Sequence, residues 1–435
     1  MNNRVYIVIT TFLPFVGGAE TQTFSQAQHL QQQGYEPTIV TFHHKKEWAA
    51  EEVLGDIRVK RVAGKWLGNR EHLPRIIQRL YYLLAMLLMG WTLWNERKNY
   101  DVLHVCQLSL LILPITLACR LARKPMLIVI MSAGAGKAVK SNEPVRLLAG
   151  PLDVNSSWLT VDGQTWIDGD LDALARKGKA LVNYMFTHLR RISATIVVLS
   201  SRMEQQFTAY GRHIPRLEWI PNGVDQQRFS PVPPELQTNE WTKTVICVSK
   251  MRYEKGIDVL LQAWHLVHIQ APQARLILVG TGPLQKQLEQ MAKALGIAGT
   301  VEFTGLQSDV PAQLRRGSIA VLPSRWEGMP NALLEAMATG LACVATRVSG
   351  SEDLIQPEVN GYLIEPEDYH AMGQVLLNLL NEPELSRRLG QTSYEIALKN
   401  YTIEQITRRY TGLYQRLISL RQPMKQVQPE TAVNH

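Results

Sequence analysis

The sequence predicts an α/β protein built from two doubly wound, Rossmann-like domains that face each other across a cleft. In the first half, short apolar runs alternate with helical patterns, which is typical of a parallel sheet flanked by helices. The proline-rich, polar stretch SPVPPELQTNEW (230–241) interrupts this pattern, and the same alternation restarts after it. A length of 435 residues also fits two domains of this kind.

These breaks define the predicted domains. Residues 1–230 are expected to form the N-terminal domain, 231–241 the linker and 242–400 the C-terminal domain. The chain is mostly helical after Asp368, and we expect a C-terminal helix at about 402–421 to pack back onto the N-terminal domain.

In the N-terminal domain, runs rich in Val and Ile predict strands. Residues 19–34 predict a helix that ends at a glycine cap. Residues 138–175 are rich in Gly, Pro, Asn and Asp and predict a long surface excursion. The expected strands are 4–10, 36–42, 56–63, 101–106, 125–131 and 194–200.

The C-terminal domain repeats the strand–helix alternation, so a second parallel sheet is expected there. In open sheets of this type, ligands bind in loops at the carboxyl ends of the strands, so the chemistry is expected in the loops that border the cleft. The expected strands are 244–250, 274–280, 300–305, 319–323 and 341–347, and the expected helices are 256–268, 283–296 and 330–339.

The net positive charge of the chain lies in its first half. Residues 1–230 carry 27 Lys or Arg and 18 Asp or Glu, whereas the remainder carries 19 and 20. Such asymmetry favours contact with an anionic partner, such as a membrane surface or a phosphorylated substrate, although an idle basic surface is the alternative. No nucleic-acid partner is expected.

The apolar run LYYLLAMLLMGWTLW (80–94) is shorter than the roughly 20 residues that span a bilayer. It is interpreted as a core helix packed on the sheet, with a helix lying in a membrane interface as the alternative. The N-terminus lacks the pattern of a secretory signal, and the four cysteines are scattered, so a cytoplasmic location is expected, peripheral to the inner face of the membrane in the second case.

Three glycine-rich or basic loops follow predicted strands. Gly17 and Gly18 open the first helix and let a ligand approach the backbone, although a plain tight turn would look the same. Gly280 and Gly282 in VGTGP allow the same interpretation and the same alternative. The loop SKMRYEKG (249–256) places three cations before a helix, which suits a diphosphate, with a solvated charged loop as the alternative. Its cations are Lys250, Arg252 and Lys255.

The stretch SRWEGMPNALLEAMATG (324–340) contains two glutamates eight residues apart. Pro330 suits the first position of a helix, so Glu327 is expected in the preceding loop and Glu335 inside the helix. The two carboxylates would then bracket a helix N-terminus, whose amides favour an anion. Carboxylates accept hydrogen bonds from sugar hydroxyls, so the order suits a hexose, a diphosphate and a ribose.

Taken together, the motifs resemble those of a known enzyme family. The E-x7-E pair, EKG after a strand, VGTGP, GGAE and IPNGVD (220–225) occur here in the order found in retaining glycosyltransferases of family 4, which have the GT-B fold. The resemblance covers most of the chain and is strongest from about 194 to 410. It implies a nucleotide-diphosphate sugar as donor. The basic first half and the apolar run 80–94 fit a saccharide or lipid-diphosphate acceptor at a membrane, and a soluble acceptor fits almost as well.

The resemblance also implies roles for individual residues. Glu327 is similar to the glutamate beside the transferred sugar, and Glu335 to the one that holds the ribose. Lys255 is similar to the phosphate-binding lysine, and Lys250 stands where the family usually has arginine, with Arg252 nearby to compensate. Gly17 and Gly18 match the loop that closes on the diphosphate. Backbone amides near the sugar or phosphate are expected at Gly328, Met329 and Asn331.

One departure concerns the histidine that many relatives carry after the fifth strand of the first domain. Here Ser132 and Ala133 occupy that loop. Ser132, His104 and Lys137 are therefore the acceptor-side candidates, although His104 also suits a structural role and Lys137 an ordinary surface position.

Two further patterns resemble other sites without meeting their requirements. GAGKA lacks the glycine spacing and the Ser or Thr of a P-loop, and DGDLD (168–172) lies in the long excursion, where a helix cap is the simpler explanation. No metal or other cofactor is expected. Two alternatives to a glycosyltransferase stay open: a sugar-nucleotide epimerase on the same fold and a non-catalytic partner subunit.

Overall fold

The computed structural model describes residues 3–15, 17–63, 74–132, 179–208, 214–233, 235 and 237–420. It has the predicted class, because two parallel α/β sheets lie in succession along the chain. The strands at the centres of both sheets are buried along their length, as expected where helices cover both faces of a sheet.

The first sheet contains eight strands among the described residues, in the spatial order β3-β4-β2-β1-β5-β6-β7-β8. All neighbours pair in parallel except β3 and β4, which pair antiparallel at one edge. The strands are β1 Arg4–Ile9, β2 Glu36–Phe42, β3 Glu51–Leu54, β4 Ile57–Val62, β5 Val102–Cys106, β6 Met126–Ile130, β7 Thr195–Val198 and β8 Arg216–Trp219. The helices are α1 Gly18–Gln32, α2 Arg75–Asn95, α3 Ile112–Ala122, α4 Lys179–Arg191 and α5 Ser201–Thr208.

The second sheet has six parallel strands in the described chain, in the order β11-β10-β9-β12-β13-β14. The strands are β9 Thr244–Val248, β10 Arg275–Val279, β11 Val301–Gly305, β12 Ile319–Leu322, β13 Ala342–Thr346 and β14 Gly361–Ile364. The helices are α6 Asn239–Thr242, α7 Ile257–Gln270, α8 Gln285–Ala294, α9 Val310–Leu314, α10 Asn331–Ala338, α11 Ser349–Leu354, α12 Tyr369–Asn381 and α13 Pro383–Asn400.

The last helix, α14 (Ile403–Ser419), returns to the first domain. A capping box fixes its start, since Thr402 accepts a bond from the backbone of Gln405 while the Gln405 side chain accepts one from Thr402. The Tyr414 hydroxyl lies 2.7 Å from Nδ1 of His104 on β5, so the helix packs against the centre of the first sheet.

Helix α2 contains the apolar run 80–94 and has two different faces. Ala85, Met86 and Met89 are buried in the core, whereas Leu87 and Trp91 are 55% and 60% exposed. Residues 76–95 are long and apolar enough to cross a membrane by length and composition, a test that core helices of soluble proteins also pass. The interpretation as a core helix therefore describes only one face of α2.

Polar contacts join the two domains beside the cleft. The Ser201 backbone N–H donates to Asp353 at 2.9 Å, and the hydroxyls of Ser200 and Ser349 are 2.8 Å apart. The Arg202–Glu352 ion pair, at 2.6 Å, lies next to them. These contacts fix how the carboxyl ends of the two sheets face each other.

Candidate active site

The loop between β12 and α10 carries Glu327, and the turn after β9 carries Lys255. The Lys255 ammonium donates to Oε1 of Glu327 at 2.6 Å, and the Ser324 hydroxyl donates to the same oxygen at 2.7 Å. The Glu327 side chain is 11% exposed and that of Lys255 22%. The two residues that the sequence predicted from separate motifs thus form one charge-assisted pair beyond the carboxyl ends of the central strands β9 and β12.

Gly256 lets the turn that carries Lys255 lie against β12. Its φ is +62°, and a Cβ at this position would overlap the carbonyl oxygen of Pro323. Any other residue would strain the backbone and push Lys255 away from Glu327. The glycine in EKG is therefore explained by this close approach.

Arg325, in the same loop, holds it in place through hydrogen bonds to the turn and the helix that follow β9. Its guanidinium makes five hydrogen bonds, two to the Asp258 carboxylate at 2.8 and 2.7 Å, two to Glu367 at 2.6 and 3.1 Å and one to the Tyr253 carbonyl at 2.7 Å. The side chain is 6% exposed, and the paired carboxylates raise its pKa above the usual range, against the opposing effect of burial. Arg325 thus ties the Glu327 loop to the turn that carries Lys255.

The remaining predicted cations, Lys250 and Arg252, have different surroundings. Lys250 is exposed, and a Cβ at Gly17 would lie 2.8 Å from its ammonium, so this lysine faces the first loop of the N-terminal domain. Arg252 forms an ion pair with Glu254 at 2.9 Å. Since the Glu254 carboxylate is buried, this ion pair holds the Arg252 side chain against its own loop, and its compensation for Lys250 stays a prediction.

The start of α10 is joined directly to the N-terminal domain. The Asn331 amide donates to the Gly18 carbonyl at 2.9 Å and accepts from Asn222 at 2.7 Å. Asn222 also donates to the Met329 carbonyl at 3.3 Å. Pro330 is the capping residue and not the first helical residue, which places the helix start one residue later than predicted. The first amides of a helix have no carbonyl partner within it, so those of α10 lie beside this contact between the domains.

Gly328 lies against the end of β6. A Cβ here would overlap the Met131 carbonyl and lie 3.2 Å from the Ser132 Cα, so the absence of a side chain allows the two domains to touch. Ser132, an acceptor-side candidate, is therefore adjacent to the loop that carries Glu327.

Gly280 and Gly282 serve backbone packing. Their Cβ atoms would overlap the carbonyl oxygens of Ser249 and Met251, and the Met251 N–H donates to Thr281 at 3.0 Å. The two glycines therefore let the VGTGP loop lie directly on the basic loop. Their predicted approach to a ligand stays a prediction.

Glu335 is a partly buried carboxylate on α10. Burial raises its pKa to about 7, and the positive charge of Arg228 opposes this rise. Within the described residues no hydrogen bond or ion pair reaches its carboxylate. A buried carboxylate needs a hydrogen-bond donor, so a bound ligand could supply it. The ribose assigned by the resemblance stays a prediction.

His104 corrects the acceptor-side assignment. It is 1% exposed, hydrogen-bonded to Tyr414 and stacked on Tyr410 with ring centroids 5.2 Å apart. Burial lowers its pKa to about 3, so it is neutral and anchors α14. Lys137 lies outside the described residues.

Sequence reasoning missed Asn222 and Arg325. Asn222 stands inside the quoted IPNGVD stretch, and its position among glycine and proline was the available signal. Arg325 sits in the opening stretch, but its partners are 67 and 42 residues away in sequence, so no local pattern indicates the pairing.

Comparisons with known families match both halves of this architecture. Residues 16–228 match the model described as Glycosyltransferase Family 4, and residues 231–396 match Glycosyl transferases group 1. The chain therefore belongs to the GT-B glycosyltransferases. The boundary between the two matched regions falls at the start of the predicted linker.

This glycosyltransferase is 35% identical over 172 residues to an uncharacterized glycosyltransferase of Haemophilus influenzae, which covers 39% of the chain and 48% of the relative. It is 33% identical over 180 residues to N-acetyl-alpha-D-glucosaminyl L-malate synthase of Bacillus anthracis, covering 41% of the chain and 47% of the relative. The matches thus span about half the length of these relatives.

Solved structures agree on the fold of the glycosyltransferase. Sucrose-phosphate synthase of Thermosynechococcus elongatus superposes with a TM-score of 0.72 at 19% identity, over 96% of this chain and 100% of that one. HepE of Anabaena, in complex with UDP and glucose, gives 0.67 at 16% identity, over 95% and 99%.

Proposed function

We propose that this glycosyltransferase moves a sugar from a nucleotide-diphosphate donor to a saccharide or lipid-linked acceptor with retention of anomeric configuration, in polysaccharide or glycoconjugate biosynthesis. The Lys255–Glu327 pair is the observation that carries the proposal. It places a cation and a carboxylate 2.6 Å apart beside a helix N-terminus and the opposite domain. HepE of Anabaena, which has a similar fold, was solved in complex with UDP and glucose, and this supports the same class of ligand.

The charges suit a diphosphate leaving group. Lys255, Lys250 and the first amides of α10 border one side of the cleft, and the Gly17–Gly18 loop borders the other. As the bond between the anomeric carbon and the donor phosphate breaks, negative charge grows on the diphosphate, and these groups stabilise it. The acceptor oxygen forms the new glycosidic bond on the same face, and its proton passes to a phosphate oxygen of the leaving group.

Glu327 is suited to hold the transferred sugar. Both Lys255 and Ser324 donate to its Oε1, and in the described part of the chain no donor reaches Oε2. Oε2 can therefore accept a bond from a sugar hydroxyl while Oε1 stays fixed. The pair with Lys255 also links the position of the sugar to that of the diphosphate.

The acceptor approaches from the N-terminal domain, where Ser132 lies next to Gly328. The net positive charge of residues 1–230 favours an anionic acceptor and peripheral contact with an anionic membrane, on the cytoplasmic side. No metal is assigned a role, because the proposed charge stabilisation is provided by lysines and amides.

The proposal is tested by screening nucleotide sugars for thermal stabilisation and then measuring donor hydrolysis and transfer. Lys255→Ala and Glu327→Ala are expected to abolish transfer while the variants stay folded, which circular dichroism checks. Lys286→Ala, which removes an exposed lysine of α8, is the matched control and should retain full activity. Full activity in either site variant would refute the assigned roles.

The two alternatives give different outcomes in the same experiment. An epimerase would convert the donor sugar without transferring it, and a non-catalytic subunit would bind no nucleotide sugar. The intact Lys255–Glu327 pair argues against a non-catalytic subunit, and detection of transfer decides against an epimerase.

A further inference from the structure

An apolar groove runs between α2 and α3 of the first domain. It is an open cavity of about 630 Å³. Leu87, Trp91, Leu117 and Leu121 form its rim and are each more than half exposed. Its complete lining is Leu83, Met86, Leu87, Gly90, Trp91, Trp94, Leu110, Leu113, Pro114, Leu117, Ala118 and Leu121.

Gly90 marks a close approach of the two helices in the groove lining. A Cβ at this position would lie 2.8 Å from Cβ of Pro114 and 2.9 Å from its carbonyl oxygen, so the glycine lets α2 and α3 approach closely at the floor. The rim side chains then stand on both sides of this contact. From Leu83 to Trp94 the groove follows α2 for about 16 Å at the rise of an α-helix.

The three described segments that form and flank the groove carry positive charge only. Segments 74–95, 107–124 and 179–193, which contain α2, α3 and the neighbouring α4, hold eight Arg or Lys and no Asp or Glu. Arg79, Arg120, Arg123, Arg190 and Arg191 are exposed. An apolar surface bordered by cations alone complements an amphiphile with a negatively charged head.

One end of the groove lies near the carboxyl ends of the strands of the first sheet, which border the cleft in folds of this type. Leu110 follows the carboxyl end of β5, where the Gln107 N–H donates to Val129 on β6. Neighbouring strands are about 5 Å apart, and the end of β6 continues into Met131, which touches Gly328 beside Glu327. The mouth of the groove is thus one strand away from the point where the domains meet.

We propose that this groove holds the hydrocarbon chain of a phosphate-bearing lipid acceptor, which deepens and rests on the function proposed above. A flat bilayer surface can cover the outer side of α2 but cannot fill a concave groove, whereas a single chain can. A chain lying in the groove would direct its phosphate-bearing head toward the cleft. The groove therefore selects a lipid-linked acceptor over a soluble one.

The direct test measures binding of decyl diphosphate, below its micellar concentration, by calorimetry with the full chain. Methyl diphosphate reports the contribution of the head alone. The double variant Leu87→Gln, Leu117→Gln should weaken decyl diphosphate at least tenfold and leave methyl diphosphate unchanged. Leu84→Gln, an exposed leucine of α2 outside the groove lining, is the matched control and should bind as the wild type does.

A second variant separates insertion into the groove from general apolar adhesion. Leu117→Trp keeps the rim apolar but fills the groove, so it should also weaken decyl diphosphate at least tenfold while its partitioning onto anionic phospholipid vesicles is unchanged. Leu87 and Leu117 are both exposed, so the circular dichroism spectra and melting temperatures of all groove variants should stay at wild-type values.

Three results would overturn the inference. The first is equal affinity of the wild type for decyl and methyl diphosphate. The second is equal loss of binding in the groove variants and in Leu84→Gln. The third is a dimer in sedimentation that the double variant dissociates, which would make the groove a subunit interface. Failure of every nucleotide sugar to stabilise the protein would refute the proposed function instead, because the alkyl probe is measured without donor.

Discussion

Replacing Arg325 by methionine should destabilise the C-terminal domain severely. The change removes a side chain that is 6% exposed and leaves the Asp258 carboxylate, 2% exposed, without its two hydrogen bonds. Glu367 and the Tyr253 carbonyl also lose their bonds, and the guanidinium no longer stacks 4.1 Å from the Tyr253 ring centroid.

The magnitude follows from the buried carboxylate. Removing one partner of a buried ion pair destabilises a protein by about 3–5 kcal/mol, mainly because the other charge stays buried and unpaired. In a domain of this size each kcal/mol lowers the melting temperature by about 2–4 °C, so the expected loss is roughly 6 to 20 °C.

Differential scanning calorimetry of the variant measures this loss. Arg347→Ala is the matched control, because Arg347 pairs with Glu365 at the surface, where the side chains are 41% and 66% exposed, and should lower stability by no more than about 0.5 kcal/mol. Equal shifts in the two variants would refute the reasoning. Arg325→Lys keeps the charge without the planar fork and should give an intermediate loss.

Three further predictions concern the cleft. Burial raises the pKa of Glu335 from 4.5 to about 7, so the protonated carboxyl contributes stability that is fully present below about pH 4.5 and is lost as the pH rises to 7. Glu335→Gln should remove this loss, and equal pH profiles of melting temperature in the variant and the wild type would contradict the prediction. Gly328→Ala should lower sugar transfer at least tenfold because its methyl group would separate Glu327 from the N-terminal domain, whereas Gly299→Ala, where a Cβ meets nothing within 4 Å, should not; equal rates would show that the close approach is dispensable. Asn222→Ala should raise KM for the donor severalfold because it releases Met329 and Asn331, with an unchanged KM as the contrary result.

The fold was predictable where periodicity was strong. The central strands of both sheets and helix α1 were found because parallel strands are continuous apolar runs and α1 ends near a glycine. The antiparallel strand β3 and the edge strands β8 and β14 were missed. Each has only four residues, β3 and β8 have little apolar character, and β14 stands isolated in the sequence. Short edge strands are defined by their neighbours more than by their own sequence.

The site was predictable as a set of loops but not as a set of contacts. The motifs identified Lys255 and Glu327, and the structure brings them to 2.6 Å. The roles of Arg325 and Asn222 depend on partners far away in sequence. His104 was misplaced among the acceptor-side candidates because a polar residue in a strand gives the same pattern whether it faces a ligand or a buried tyrosine.

The return of the chain through Tyr401 and Thr402 has a consequence for domain motion. The Val224 N–H donates to the Tyr401 carbonyl, and the Val224 carbonyl accepts from the Ile403 N–H, both at 2.8 Å. A Cβ at Gly223 would lie 2.6 Å from the Ile403 Cα. The polypeptide therefore crosses between the domains at two adjacent places, once after Ser230 and once before α14. We expect two neighbouring crossings to permit rotation about the line that joins them and to resist twisting or sliding of the domains. The cleft should therefore open mainly by rotation about this line, with Lys250 facing the Gly17–Gly18 loop when the cleft is closed.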